Sequence, residues 1–214
     1  MEDVQQQLLS YVVSNVKKEF FQSFQEQILI KYGVTESFLD ENIVLTPKGR
    51  LRSQMRRYLI DEAMATVGGE VNFTKPRGEH YLTYEENGIV VSHVEIVAGN
   101  KVRDAVHRKV LSLGNKALEP LQFDLFNTQL VDTKTKLHIV VMVIHPTAKD
   151  NAQVSPQDIL VVIPFSNWKD YHALLSINEL LESYNSEDMH DSDMAWPTLK
   201  IALEEQENKR SNGE

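Results

Sequence analysis

The sequence predicts an α+β protein: an N-terminal helical layer, then a mostly antiparallel sheet of about four strands flanked by helices. Three observations carry this expectation. Residues 1–67 keep a helical period throughout, residues 79–98 alternate about a central Asn-Gly pair, and two short β-branched runs follow further along.

The first helical pattern steps by four through Val4, Leu8, Val12, Val16, Phe20, Phe24 and Ile28, with Leu9, Val13 and Phe21 beside it. A step of four drifts by about 40° each time against a turn of about 3.6 residues. The helix therefore either breaks near Ser14 and Asn15 or spreads its stripe over more than one partner. Gly33 reads as its stop, with a short extra turn at 35–41. Thr46 and Pro47 supply an N-cap and a first helical residue for a second helix running to about Ala65 and halted by Gly68 and Gly69.

Asn87 and Gly88 lie between two alternating runs, which predicts strands at 79–86 and 89–98 joined by a two-residue turn. Residues 101–113 read as a helix ended by Gly114 and Pro120. Residues 137–144 and 158–165 read as strands, the second closed by Pro164. Ser166 is read as the cap of a further helix whose stripe is Trp168, Tyr171, Leu174, Leu175, Leu181 and Tyr184. An acidic loop at 185–193, a short helix at 198–207 and a frayed tail complete the chain. The division is a helical layer at 1–67, an α+β core at 68–184 and the acidic end at 185–214, read as one continuous domain.

Among the 214 residues there is no Cys, which excludes disulfides, thiolate metal sites and Cys nucleophiles. The longest apolar run, 139–144, is far below the roughly 20 residues that cross a bilayer, so no membrane partner is expected. Glu2, Asp3 and the glutamines at 5–7 are unlike a secretory signal, and a cytoplasmic location is expected. The net charge of −9 is unevenly laid out. Residues 178–214 hold ten acidic and three basic side chains, leaving 21 acidic and 19 basic in the rest.

Two stretches of that nearly neutral body are basic. One holds Lys48, Arg50, Arg52, Arg56 and Arg57, and the other Lys101, Arg103, Arg108, Lys109 and Lys116 with Asp104 the single acid. They are either solvated faces, partners of the acidic end, or a phosphate-binding surface. On a helical wheel Arg50, Arg52, Arg56 and Arg57 flank the apolar stripe on both sides, which disfavours one helix reading a groove. Lys48 and Arg50 at a helix start still suit an anion.

Dinucleotide, P-loop, hydrolase-elbow and zincin signatures are all missing, and no cofactor is expected. A nuclease core of the restriction-endonuclease layout would want an acid followed by acid-x-Lys. Here Glu95 is followed by Ile96 and Val97, and Asp124 stands alone. The hairpin offers another constellation: register puts His80 opposite Glu95 and Leu82 opposite His93, so His80, His93 and Glu95 share one sheet face. Two imidazoles and a carboxylate are the ligand set of an open Zn site, and equally a structural His–Glu bond. His138 and His145 point to opposite faces of one strand, while His190, Asp191 and Asp193 sit in the acidic loop.

These features give three functional expectations. The first is a non-catalytic cytoplasmic protein that binds a polyanion, most plausibly nucleic acid, through the two basic stretches. The second is an assembly module whose N-terminal helix pairs with itself or another protein. The third is a metal-dependent hydrolase using His80, His93 and Glu95.

Overall fold

A computed structural model describes residues 2–76, 78–119, 136–147 and 153–185. Asp124, the loop histidine and aspartates at 190–193, and the helix expected at 198–207 lie outside the described residues. Among the described residues the elements are α1 (Glu2–Asn15), α2 (Lys18–Asn42), α3 (Gly49–Thr66), β1 (Glu70–Phe73), β2 (His80–Glu86), β3 (Ile89–Val97), α4 (Val106–Ser112), a 3₁₀ helix (Leu113–Leu118), β4 (Leu137–His145), β5 (Asp158–Pro164), β6 (Tyr171–Ser176) and α5 (Ile177–Ser183).

The α+β class holds, but the sheet has six strands in sequential order, not about four. All neighbours are antiparallel except β3 and β4, which run parallel and are joined across one face through α4. The two strands missing from the expectation are the edges. The edge strand β1 has only four residues, too few to display a period of two, and the sequence of β6 also satisfies a helical stripe. The chain turns back after β5 with Trp168 at φ 59°. It enters helix only at Ser176, which forms a capping box with Glu179. That Ser-x-x-Glu pattern was the better helix start, and Ser166 was the wrong cap.

The break near Ser14 and Asn15 is real, since α1 ends at Asn15 and α2 begins at Lys18. The hairpin turn latches it. Asn87 and Gly88 both take positive φ, at 43° and 81°, as a type I′ turn requires. From there Asn87 donates to the Asn15 carbonyl at 3.1 Å, while Glu86 accepts from the Lys17 N–H at 3.1 Å. Contrary to expectation, α2 runs straight through Gly33 to Asn42. A glycine costs a helix interior only about 1 kcal/mol, and beyond it Thr35, Glu36 and Leu39 are buried. The third helix starts two residues later than Pro47 and has no side-chain cap. Residues 101–105 precede α4 without joining it, although Val102 packs into the second core.

The larger core lies between one sheet face and α1, α2, α3 and α5. Leu8, Val12, Phe21, Phe24 and Ile28 meet Ile89, Val91, Ile139, Val141 and Val161 there. From Leu8 to Ile28, the four-step ladder that suggested pairing of the N-terminal helix with a partner is thus buried in the protein's own core. A smaller core on the opposite face gathers Val94, Val140, Met142 and Val162 under Trp168 and Tyr171. Asn115 ties the 3₁₀ helix to this side of the sheet, and beside it Gly114 lies so close to Lys136 that a Cβ would sit 2.0 Å from its carbonyl oxygen. No described helix is long and apolar enough to cross a membrane.

Candidate functional site

The sheet opens at one end. The strand β2 stays paired with β1 up to His80, and β3 stays paired with β4 up to Val97, yet the ladder between β2 and β3 stops at Thr83 and Ser92. The expected register is kept in the rungs that form, with Glu86 opposite Ile89, but His80 and Glu95 are not a ladder pair. Diverging strands leave a fork, with His80 on one prong and His93 and Glu95 on the other.

Helix α3 fills one side of this fork with Asp61, a residue the sequence reading did not single out. One Asp61 oxygen lies 3.0 Å from His93 Nε2 and the other 3.2 Å from His80 Nε2. Glu95 approaches the opposite edge of the His93 ring, 3.3 Å from Nδ1. The His93 side chain is only 6% exposed. Burial alone would drive its proton off, but the Asp61 carboxylate against Nε2 and the negative charges of Asp61 and Glu95 prevail and raise its pKa to about 9. Asp61 had no hairpin partner by register, and only helix packing brings it to the fork, so no sequence spacing would have revealed it.

A second polar network continues along the same helix–sheet interface. Glu36 on α2 takes a bidentate pair of bonds from Arg52 at 2.7 and 2.8 Å and another from Arg56 at 2.9 Å. The Arg56 guanidinium, 3% exposed, stacks 4.4 Å above the Tyr32 ring and also donates to Gln153. Tyr32 in turn bonds His145 Nδ1 at the end of β4. Burial pushes the Tyr32 hydroxyl above its ordinary range and takes His145 down to about 4.

The basic stretches divide. Lys48 pairs with Asp40 at 2.5 Å, Arg52 and Arg56 are held by Glu36, and Lys109 pairs with Asp104 at 2.9 Å. Arg57 makes only a long contact of 3.8 Å with Glu79. Exposed Arg50, Lys101 and Arg103 make no ion pair among the described residues. Although α3 and α4 lie on opposite sheet faces, their basic residues sense one another around the fork. Burial lowers the pKa of both His107 and Arg108, and the Arg57 charge lowers each further. Glu79 bears on both and Glu95 on Arg108 in the opposite sense. Arg108 donates to the Arg103 carbonyl at 2.6 Å, but its buried Nε has no hydrogen-bond partner among the described residues.

His138, on the α4 face, is a satisfied core histidine. Its two nitrogens lie 2.8 Å from the hydroxyls of Ser92 and Ser112, and Ser112 also accepts from the Trp168 indole. Burial, aided by the charges of His107 and Arg108, lowers its pKa to about 3. Between that value and the ordinary histidine pKa of about 6.5, the unfolded chain binds the extra proton. Stability from this group is therefore complete above about pH 6.5 and declines as pH falls, by about 2 kcal/mol at pH 5. Urea unfolding at pH 7 and pH 5 checks this, with His138→Gln expected to flatten the difference by that amount.

The fold and site define the chain as an α+β protein with a forked mixed sheet, whose fork holds Asp61 against His80 and His93 with Glu95 beside the His93 ring. No family model, no curated protein and no solved structure matches it.

Proposed function

We propose that the chain binds the phosphate backbone of a nucleic acid at the forked end of its sheet. The observation that carries this reading is that Arg57 and Arg108, one from each basic stretch and on helices at opposite sheet faces, lie near enough for the Arg57 charge to lower the Arg108 pKa. Lys101 and Arg103, exposed in the segment leading to α4, extend the positive surface. Arg52 and Arg56 contribute to it indirectly, because their charge is spent on Glu36 and their role is to hold α3 in place.

Tyr58 favours a single strand over a duplex. It follows Arg57 on α3, is 62% exposed, and its ring lies 6.5 Å from that of His80. Exposed aromatic rings beside basic groups stack unpaired bases, at about 1–3 kcal/mol per base.

Anisotropy of a labelled single strand and a labelled duplex, each at low and moderate salt, tests the reading. The intact chain should bind the single strand more tightly, with affinity falling steeply as salt rises. The triple variant Arg57→Ala, Lys101→Ala, Arg103→Ala should bind more weakly and with a salt slope shallower by about 2 to 3. Tyr58→Ala should lower single-strand affinity at least about fivefold with the salt slope unchanged. Absence of binding to either probe at low salt, or a triple variant equal to the parent, defeats the proposal.

A further inference from the structure

The fork contains more acid than a phosphate site should. Asp61 and Glu95 flank His93, Glu79 lies 3.8 Å from Arg57, and Glu79 and Glu95 both act on Arg108, so at short range these acids repel phosphate as strongly as the arginines attract it. A cation held by the carboxylates removes the conflict.

We propose that Asp61, His93 and Glu95 bind one divalent transition-metal cation of the zinc or manganese type. One carboxylate oxygen from each acid and one nitrogen of the His93 ring lie within 4.8 Å of one another. In a formed tetrahedral sphere the donor atoms stand roughly 3.4 Å apart. Asp61 stands 3.0 Å from Nε2 and Glu95 3.3 Å from Nδ1, so with the cation on one ring nitrogen the acid at the other nitrogen has to swing in by up to about 1.4 Å to complete the set.

A second observation is independent of the carboxylates. His93 Nδ1 is buried and makes no hydrogen bond, even though Glu95 lies beside it, because that oxygen is off the line on which the nitrogen can bond. An unmade hydrogen bond at a buried nitrogen costs about 1–3 kcal/mol. A metal lone-pair contact satisfies it, with the cation taking the place of the ring proton.

The donor set selects the ion. One imidazole and two carboxylates suit zinc or manganese, whereas calcium wants six to eight oxygens and magnesium prefers oxygen and water. Three protein donors also leave at least one position open, and Asp61 and Glu95, each 14% exposed, are reached by solvent. His80, bonded to the second Asp61 oxygen, acts as a positioning residue that aims the carboxylate. The hairpin constellation read from the sequence thus changes by one member, with Asp61 taking the ligand place and His80 standing behind it.

The test uses the intact chain after removal of metal by chelation, with no nucleic acid present, so this site and the nucleic-acid reading fail separately. Titration calorimetry and thermal melting with zinc chloride, manganese chloride and calcium chloride should show one saturable site for the first two and none for calcium. Asp61→Asn and Glu95→Gln should each weaken zinc binding by more than about tenfold, and His80→Gln by less than either. For variants that fail to fold, cobalt(II) added to the intact chain gives an independent answer. A visible band that saturates at one equivalent and is removed by zinc supports the site. A spectrum no stronger than that of aqueous cobalt, or zinc affinity unchanged in folded Asp61→Asn and Glu95→Gln, overturns it.

Discussion

Replacing Arg56 with Ala is expected to destabilise the protein by about 3–5 kcal/mol, as removal of one partner from a buried ion pair does. The change strips Glu36 of one of its two arginines and Gln153 of one of its partners, and empties the volume above the Tyr32 ring. Arg52 remains bonded to Glu36, which places the loss at the lower end of that range. Arg56→Lys should recover little, because an ammonium cannot reach Glu36 and Gln153 together while stacking on Tyr32. The triple variant Glu36→Gln, Arg52→Gln, Arg56→Met should be much closer to the parent than Arg56→Ala, since it removes the buried carboxylate together with both guanidinium partners. Urea denaturation of the set checks the ranking. An Arg56→Ala protein as stable as the parent would mean that the network contributes no net stability.

Asn115→Ala carries the second large effect, about 3–4 kcal/mol. This side chain is completely buried and makes three bonds to backbone groups. Its amide nitrogen donates to the carbonyls of His138 at 2.9 Å and Pro164 at 2.8 Å, and its oxygen accepts from the His138 N–H at 2.8 Å. Alanine would leave two buried carbonyls and one N–H without that partner, each costing about 1–3 kcal/mol before any relaxation. The loss should appear as a lower urea midpoint with an unchanged slope. Asn115→Asp, which keeps the shape but turns two donated bonds into repulsion between oxygens, should be no better than alanine. Native-like stability of Asn115→Ala would show that the 3₁₀ helix is not anchored through this residue.

The parts of the molecule legible in the sequence are those where a local rule and the tertiary structure ask for the same thing. Asn87 and Gly88 demanded a tight turn and formed one; the drift of the four-step stripe allowed a break near Ser14 and Asn15 or a second partner, and the break occurs at Asn15; the β-branched runs at 137–144 and 158–165 became central strands. Where local rules were ambiguous the outcome depended on packing. The segment holding Leu174 and Leu175 fits a helix or a strand, and it pairs with β5 because that sheet edge offers unpaired backbone groups. Gly33 looked like a stop, and burial of Thr35, Glu36 and Leu39 carries the helix past it.

The candidate site divides in the same way. Period-two alternation alone determined that His80, His93 and Glu95 point to one face, and composition alone removed every cysteine-based chemistry. Only the tertiary structure decided that the strands part before His80 can meet Glu95, that Asp61 enters between them, and that the Arg57 charge reaches Arg108 from the other sheet face. The physical reason is one of range. A strand or helix period orders neighbours a few residues apart, whereas Asp61 and His93 are joined by helix-on-sheet packing, whose geometry comes from the apolar surface buried elsewhere in the core.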